Sequence, residues 1–178
     1  MRSWRRDIDA FDAAADRVFV PLRDNATANR VFYSASTLGD HSLIWAILGA
    51  ARGLRPGEVN FQAALRLGVA ILVESGLVNI GIKTVFGRKR PNLDGFAHPH
   101  RLRRPMTSSF PSGHATAAAC SIILLSDQDP LWPAYVALGV VIAASRVHVR
   151  IHHASDVVGG AAIGAALGLI IRRLAPLT

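Results

Sequence analysis

Polar and apolar positions divide the chain into three regimes. Over 7–33, Phe11, Val18, Val20, Leu22, Val31 and Phe32 are spread among Asp and Arg. That mixture predicts one or two amphipathic helices lying in an interface rather than crossing it. Pro21 should break the run. Apolar segments follow at 35–52, 60–82, 113–126, 131–149 and 156–174. Two of them, 60–82 and 156–174, have the roughly 20 residues needed to cross a bilayer. The shorter 113–126 and 131–149 are joined by Ser126-Asp127-Gln128-Asp129-Pro130, a strong turn signal, and predict a helical hairpin. Gly160, Gly164 and Gly168 repeat at G-x3-G spacing, which lets helices approach closely in lipid. The third regime, 83–111, is rich in Arg, Pro and His and has no apolar period; a connection of that length is usually functional.

The expectation is an all-α, integral-membrane helical bundle in one domain, 1–178. Interfacial helices occupy 1–34, and about five spanning helices occupy 35–178. A soluble helical bundle is the competing reading. Composition favours the membrane, because hydrophobic residues make up 51% of the chain and charged residues only 18%. The net charge is nevertheless +8. Such a balance suits nucleic acid, an anionic membrane or an anionic substrate. Nucleic acid fits poorly, since the basic residues are not interleaved with aromatics. Cys120 is the only cysteine, so no intrachain disulfide forms. No cleavable signal peptide is expected: Asp7, Asp9 and Asp12 stand where its apolar core would be.

Three stretches carry chemistry. In Ser145-Arg146-x5-His152-x3-Asp156, His152 and Asp156 are spaced to share a helix face. A carboxylate accepting from one imidazole nitrogen aims the other outward. Arg146 cannot share that face on one continuous helix, so a helix break is expected between Arg146 and His152. In Pro111-Ser112-Gly113-His114, Ser112 is a natural N-cap for an Ala-rich helix. Free backbone N–H groups there form an anion site, with His114 in the same turn. In Lys83-x6-Arg90-Pro91, Lys83 and Arg90 can flank an anion opposite Arg146, whose planar fork suits phosphate oxygens. Three cations with several N–H groups neutralise three phosphoryl oxygens, the main demand of phosphoryl transfer.

Those three stretches, in that order and spacing, resemble the signature of the type 2 phosphatidic acid phosphatase family, which shares a superfamily with vanadium haloperoxidases. The match has no substitution at the positions quoted and runs from 83 to 156. The resemblance implies an all-helical bundle with its site at one membrane face. It implies His152 as the nucleophile that becomes a phosphohistidine, Asp156 as its orienting carboxylate, and His114 as general acid and then base. Lys83, Arg90, Ser112, Gly113 and Arg146 would bind the phosphoryl oxygens. It implies no cofactor and no metal. The expected substrate is a lipid phosphate or diphosphate: a polyprenyl-linked phosphate, phosphatidic acid or phosphatidylglycerol phosphate. A vanadate-dependent haloperoxidase and a catalytically silent membrane scaffold are the alternatives.

Other residues have blander readings. His148, His152 and His153 could suggest a metal, but no Cys or Glu completes a ligand set nearby. His98 and His100 are expected in solvent. Glu74, inside an apolar segment, is expected to hydrogen-bond a neighbouring helix. Trp45 and Trp132 are candidate interface anchors. The bacterial plasma membrane is the expected location. Basic residues gather on the active-site face, Arg88, Lys89, Arg101, Arg103, Arg104 and Arg150 among them, with Arg2, Arg5 and Arg6 added by the helix count. That favours the cytoplasm, whereas the resembled bacterial enzymes generally face outward. Orientation stays open on sequence grounds.

Overall fold

The computed structural model describes residues 3–93, 96–102 and 106–178. Arg2, Arg103 and Arg104 lie outside the described residues. The described elements are all helical: α1 Ser3–Arg23, α2 Ala26–Leu38, α3 Leu43–Gly53, α4 Glu58–Val85, α5 Gly113–Leu125, α6 Trp132–His148 and α7 Ala154–Leu174. Helices α3 to α7 run back and forth between two ends of the molecule. Lys83, Gly113 and Asp156 meet at one end. Arg52, Leu125 and Asp127 meet at the other.

Helix α5 is apolar on nearly every side and sits in the middle, packed on α4, α6 and α7. Its closest partner is α7, and the glycine spacing explains why. A Cβ on Gly160 would stand 2.6 Å from the Ser112 carbonyl oxygen, and one on Gly164 would collide with the Thr116 carbonyl. Bare glycine backbone lets the two helices touch. Trp45, Leu67, Leu124, Leu125 and Ile142 fill the core. Trp45 is 0% exposed, which corrects its reading as an interface anchor; its ring packs beside Gly139. Trp132 does lie on the surface.

The apolar segment 35–52 is not one helix. After α2, Asp40–Ser42 form a tight 3-10 turn with His41 and Ser42 in the left-handed region, at φ 53° and 58°. The polar triplet Asp40-His41-Ser42 has local hydrogen-bonding alternatives to a continuing helix. Helix α3 then spans only 11 residues, about 16 Å. Among the described residues, α4 and α7 alone are long and apolar enough to cross a membrane by themselves.

Pro21 does not end α1, which continues to Arg23. The break comes at Asn25, whose side chain accepts from the Ala28 N–H at 2.9 Å and caps α2. Helix α1 packs on α6 and α7. Its Arg23 donates to the His148 and Val147 carbonyls at 2.9 and 3.1 Å, closing the end of α6. Trp4, Phe11, Val18 and Val20 stay exposed on α1.

Candidate active site

The expected helix break separates Arg146 from His152. Helix α6 ends at His148, Arg150 turns the chain at φ 52°, and α7 starts at Ala154. The turn folds back on itself: the Ile151 and His152 N–H groups both donate to the Arg146 carbonyl, at 3.2 and 3.1 Å. His152 therefore precedes α7 instead of riding on it, and Asp156 sits in the first turn behind it. The His152 ring is 3% exposed.

Its two nitrogens face different partners. Nε2 lies 3.3 Å from Arg90 NH1. A guanidinium can only donate, so Nε2 carries the lone pair. Nδ1 then carries the proton, and it faces Asp156 Oδ2 at 3.7 Å with no hydrogen-bond partner. That is an electrostatic contact, longer than a hydrogen bond. Burial pushes the imidazole down to about 3, helped by the Arg146 and Arg90 charges and opposed by Asp156. The ring is thus a neutral base at physiological pH.

Asp156 is the most densely held carboxylate of the site. Oδ1 accepts from Arg88 NH1 at 2.6 Å. Oδ2 accepts from Ser109 Oγ at 2.5 Å and from the His153 backbone N–H at 2.9 Å. His153 Nδ1 stands 3.3 Å away. The Asp156 backbone carbonyl receives the Ser112 N–H at 3.1 Å, which joins the second stretch to the third.

Ser112 occupies the N-cap position of α5, but its side chain makes no capping bond. Its hydroxyl is buried without a protein partner, and so is Arg146 Nε. Arg146, 2% exposed, sends NH1 to Ser36 Oγ. Lys83 bonds Asn79 Oδ1 at 2.9 Å and reaches Gly113, where a Cβ would lie 3.5 Å from Nζ. A π-helical stretch, Leu77–Ile82, immediately precedes Lys83; such insertions re-aim side chains and frequently mark functional sites. Arg90 braces the connecting segment through the Thr107, Ser108 and Ile151 carbonyls.

His114 Nε2 stands 2.9 Å from the Ser36 carbonyl and 3.3 Å from Asp40 Oδ1. A carbonyl only accepts, so Nε2 is the protonated nitrogen and Nδ1 is the one able to exchange a proton. Gly39 makes room for this ring, since a Cβ there would lie 2.5 Å from its Cδ2. Ser36 thus serves both Arg146 and His114, and the structure gathers all eight sequence-predicted residues at one end of the bundle.

The other sequence expectations fare unevenly. His148 turns away from the site to Asn29 Oδ1 at 2.8 Å and stacks on Phe32, which removes it from any ligand set with His152. His98 is not free in solvent: its Nδ1 meets the Tyr33 hydroxyl at 2.7 Å. His100 is exposed, with its ring 5.1 Å from that of Tyr33. Glu74 is buried, and its Oε1 finds no partner on a neighbouring helix. Sequence reasoning missed Ser36, Asp40, Asp12 and the part played by Arg88. Only Asp40 left a signal, as part of a polar triplet interrupting an apolar segment.

Known proteins resemble this chain in sequence and in fold. Residues 63–177 match the model of the PAP2 superfamily. The chain is 32% identical over 136 residues to a decaprenylphosphoryl-5-phosphoribose phosphatase of Mycobacterium tuberculosis, covering 76% of this chain and 74% of that protein. It is 39% identical over 107 residues to a lipid A 1-phosphatase of Porphyromonas gingivalis, covering 57% of this chain but 21% of that protein. Among solved structures, Aquifex aeolicus LpxE superposes with TM-score 0.68 at 25% identity, over 88% of this chain and 93% of that one. A transmembrane PAP2 type phosphatidylglycerolphosphate phosphatase from Bacillus subtilis superposes with TM-score 0.66 at 24% identity, over 98% and 87%.

Proposed function

The chain belongs to the PAP2 superfamily and is a lipid phosphatase, and from that premise we propose that it removes the terminal phosphate of a polyprenyl-linked substrate through a phosphohistidine on His152. The observation that carries the mechanism is the orientation of His152, with a lone-pair nitrogen at Arg90 and a protonated nitrogen toward Asp156. Nε2 attacks phosphorus as the bond to the leaving oxygen breaks. His114 enters this step as an imidazolium, its Nε2–H held by the Ser36 carbonyl and Asp40, and gives that oxygen the proton on Nδ1. The imidazolium formed on His152 is stabilised by Asp156. Water then attacks phosphorus, His114 takes the water's proton, and the P–N bond breaks to regenerate His152. Lys83, Arg90 and Arg146, the Ser112 hydroxyl and the Gly113 N–H hold the three phosphoryl oxygens, where fixed donors act most strongly on the transition state. The buried, unpartnered Ser112 Oγ and Arg146 Nε support this assignment.

A polyprenyl-linked phosphate is favoured by the length over which the M. tuberculosis relative aligns. A lipid is favoured by the surface beside the site. A basic cavity of about 540 Å³, lined by Lys83, Arg88, Lys89, Arg90, Thr107 and Ser108, borders a more apolar one of about 720 Å³ lined by Trp4, Ile8, Phe86 and Phe110. Phe86 and Arg88 line both. On this reading the bundle sits in a bacterial plasma membrane with α4 and α7 crossing it, the shorter α3, α5 and α6 packed beside them and α1 in the interface, and one domain, 1–178, carries the whole site.

The test is phosphate release by detergent-purified protein without added metal. The panel holds polyprenyl-phosphoryl-pentose phosphate, undecaprenyl diphosphate, phosphatidic acid, phosphatidylglycerol phosphate and lipid A 1-phosphate, each beside His152→Ala. Release from the pentose phosphate, lost in the variant, is the expected result. No His152-dependent release from any of the five would overturn the reading.

A further inference from the structure

Arg88 lies inside the Lys83–Arg90 stretch, where it would be taken for one more phosphate-binding cation. Its side chain does something else. NH1 donates to Asp156 Oδ1 at 2.6 Å and to Ser155 Oγ at 2.7 Å, and NH2 donates to Asp12 Oδ2 at 2.7 Å. Asp12, buried on α1, also receives the Ser155 backbone N–H at 2.7 Å on Oδ1 and the Ser155 hydroxyl at 2.8 Å on Oδ2. The guanidinium is therefore shared between two carboxylates, one from the N-terminal helix and one from the site. Its backbone is tied as well: its carbonyl accepts the Ser109 N–H at 2.9 Å, and Ser109 Oγ itself donates to Asp156 Oδ2.

We propose that Asp12 and Arg88 are positioning residues for the phosphoryl transfer: Asp12 fixes the Arg88 fork, and the fork fixes the Asp156 carboxylate that orients His152. This rests on the reading of His152 as the nucleophile. The geometry follows from the chemistry of the fork. A carboxylate held only by hydrogen bonds to Ser109 and His153 can pivot about its last side-chain torsion. A guanidinium bonded to Oδ1 restrains the pivot and leaves Oδ2 facing His152. Arginine alone offers two separate planar donors able to bridge Asp12 and Asp156 at once. The catalytic carboxylate is thereby anchored to a helix that the three-part signature does not include.

The experiment uses the whole 178-residue chain in detergent, with polyprenyl-phosphoryl-pentose phosphate and undecaprenyl diphosphate as probes. It compares wild type, Arg88→Gln, Arg88→Lys, Asp12→Asn and the double variant Asp12→Asn/Arg88→Gln. Loss of a supporting residue behind an active-site group typically costs about 10- to 100-fold, so kcat of Arg88→Gln should fall by about that much with KM nearly unchanged. Arg88→Lys should recover part of the loss. Asp12→Asn should lower kcat less, and the double variant should be no worse than Arg88→Gln, because coupled groups do not add. Ser155→Ala removes the shared hydroxyl and gives a second reading should Asp12→Asn fail to fold. A raised KM at constant kcat would make Arg88 a substrate-binding cation and overturn the proposal, as would additive losses in the double variant. Failure of the underlying reading looks different: wild type and His152→Ala would then release phosphate alike, leaving no oriented nucleophile for Arg88 and Asp12 to serve.

Discussion

The proposed mechanism needs a neutral His152 with a free lone pair on Nε2, and the surroundings of the ring favour that form. Burial removes water that would stabilise an imidazolium, and the Arg146 and Arg90 charges act in the same sense against the pull of Asp156. The sign is that the nucleophilic form is the unprotonated one, so acid must go well below the ordinary histidine value of 6.5 to silence it. We expect the His152 ring to stay neutral well below pH 6.5, with its midpoint lowered to about 3 by burial. Histidine-selective NMR, with the signal assigned by its loss in His152→Ala, measures this directly; a midpoint near 6.5 would contradict it. Arg146→Lys keeps the charge but loses the fork, and should lower kcat by about 10²-fold, the scale for losing one fixed donor to the transition state. Steady-state kinetics beside wild type checks it. At this scale the site was largely legible, because Lys83, Arg90, Ser112, His114, Arg146, His152 and Asp156 are chemically distinctive and tightly spaced. Ser36 and Asp12 were not: they are common residues far away in the chain, and only tertiary packing gives them a role.

Elements position the site through close contacts rather than through helix propensity. The α5 N-terminus, with Ser112 and Gly113, is pressed on α7 because Gly160 and Gly164 carry no side chain. Gly164→Val would drive two methyl groups into the Thr116 carbonyl. Overpacking of this kind costs about 1–3 kcal/mol or more, and it should separate Ser112 from Asp156 as well. The expectation is a lowered thermal midpoint in detergent together with reduced kcat; a variant as stable and active as wild type would show that the helices are not held so closely. The turn at 126–130 and the break between Arg146 and His152 were legible from turn residues and spacing. The kink at Asp40–Ser42 was not, because averaging over an apolar segment hides three polar residues. The π-helical stretch before Lys83 holds the weak helix formers Asn79 and Gly81, but these loosen a helix without specifying a widened turn.

At the scale of the whole molecule, the two ends use charge differently. The end away from the site carries Arg52, Arg55, Arg66 and Arg172, and each meets a carboxylate of the α5–α6 turn, Asp127 or Asp129. Arg52 also donates to the Leu125 and Asp127 carbonyls at 2.7 and 2.8 Å, closing the end of α5. The positive-inside comparison of the two faces therefore sets paired arginines against cations gathered around a phosphate-type site, and bare counts misrepresent both. The Asp129 carboxylate is buried, 1% exposed at the side chain, and bonded by Arg55, the Tyr135 hydroxyl and the Leu131 N–H. Burial alone would raise its pKa, but these partners outweigh it and hold the group below the ordinary 3.8. A depressed carboxyl contributes stability that is complete above 3.8 and disappears as pH falls through the folded value. Breaking a buried ion pair by removing one partner costs about 3–5 kcal/mol. Asp129→Asn should therefore lower the thermal midpoint strongly at pH 7, while its phosphatase site, at the other end of the bundle, keeps wild-type KM at temperatures where the variant is folded. On acidification the gap between wild type and variant should close, because wild type loses what the variant already lacks. A gap that persists unchanged into acid would mean that packing, not the carboxylate charge, holds the far end together.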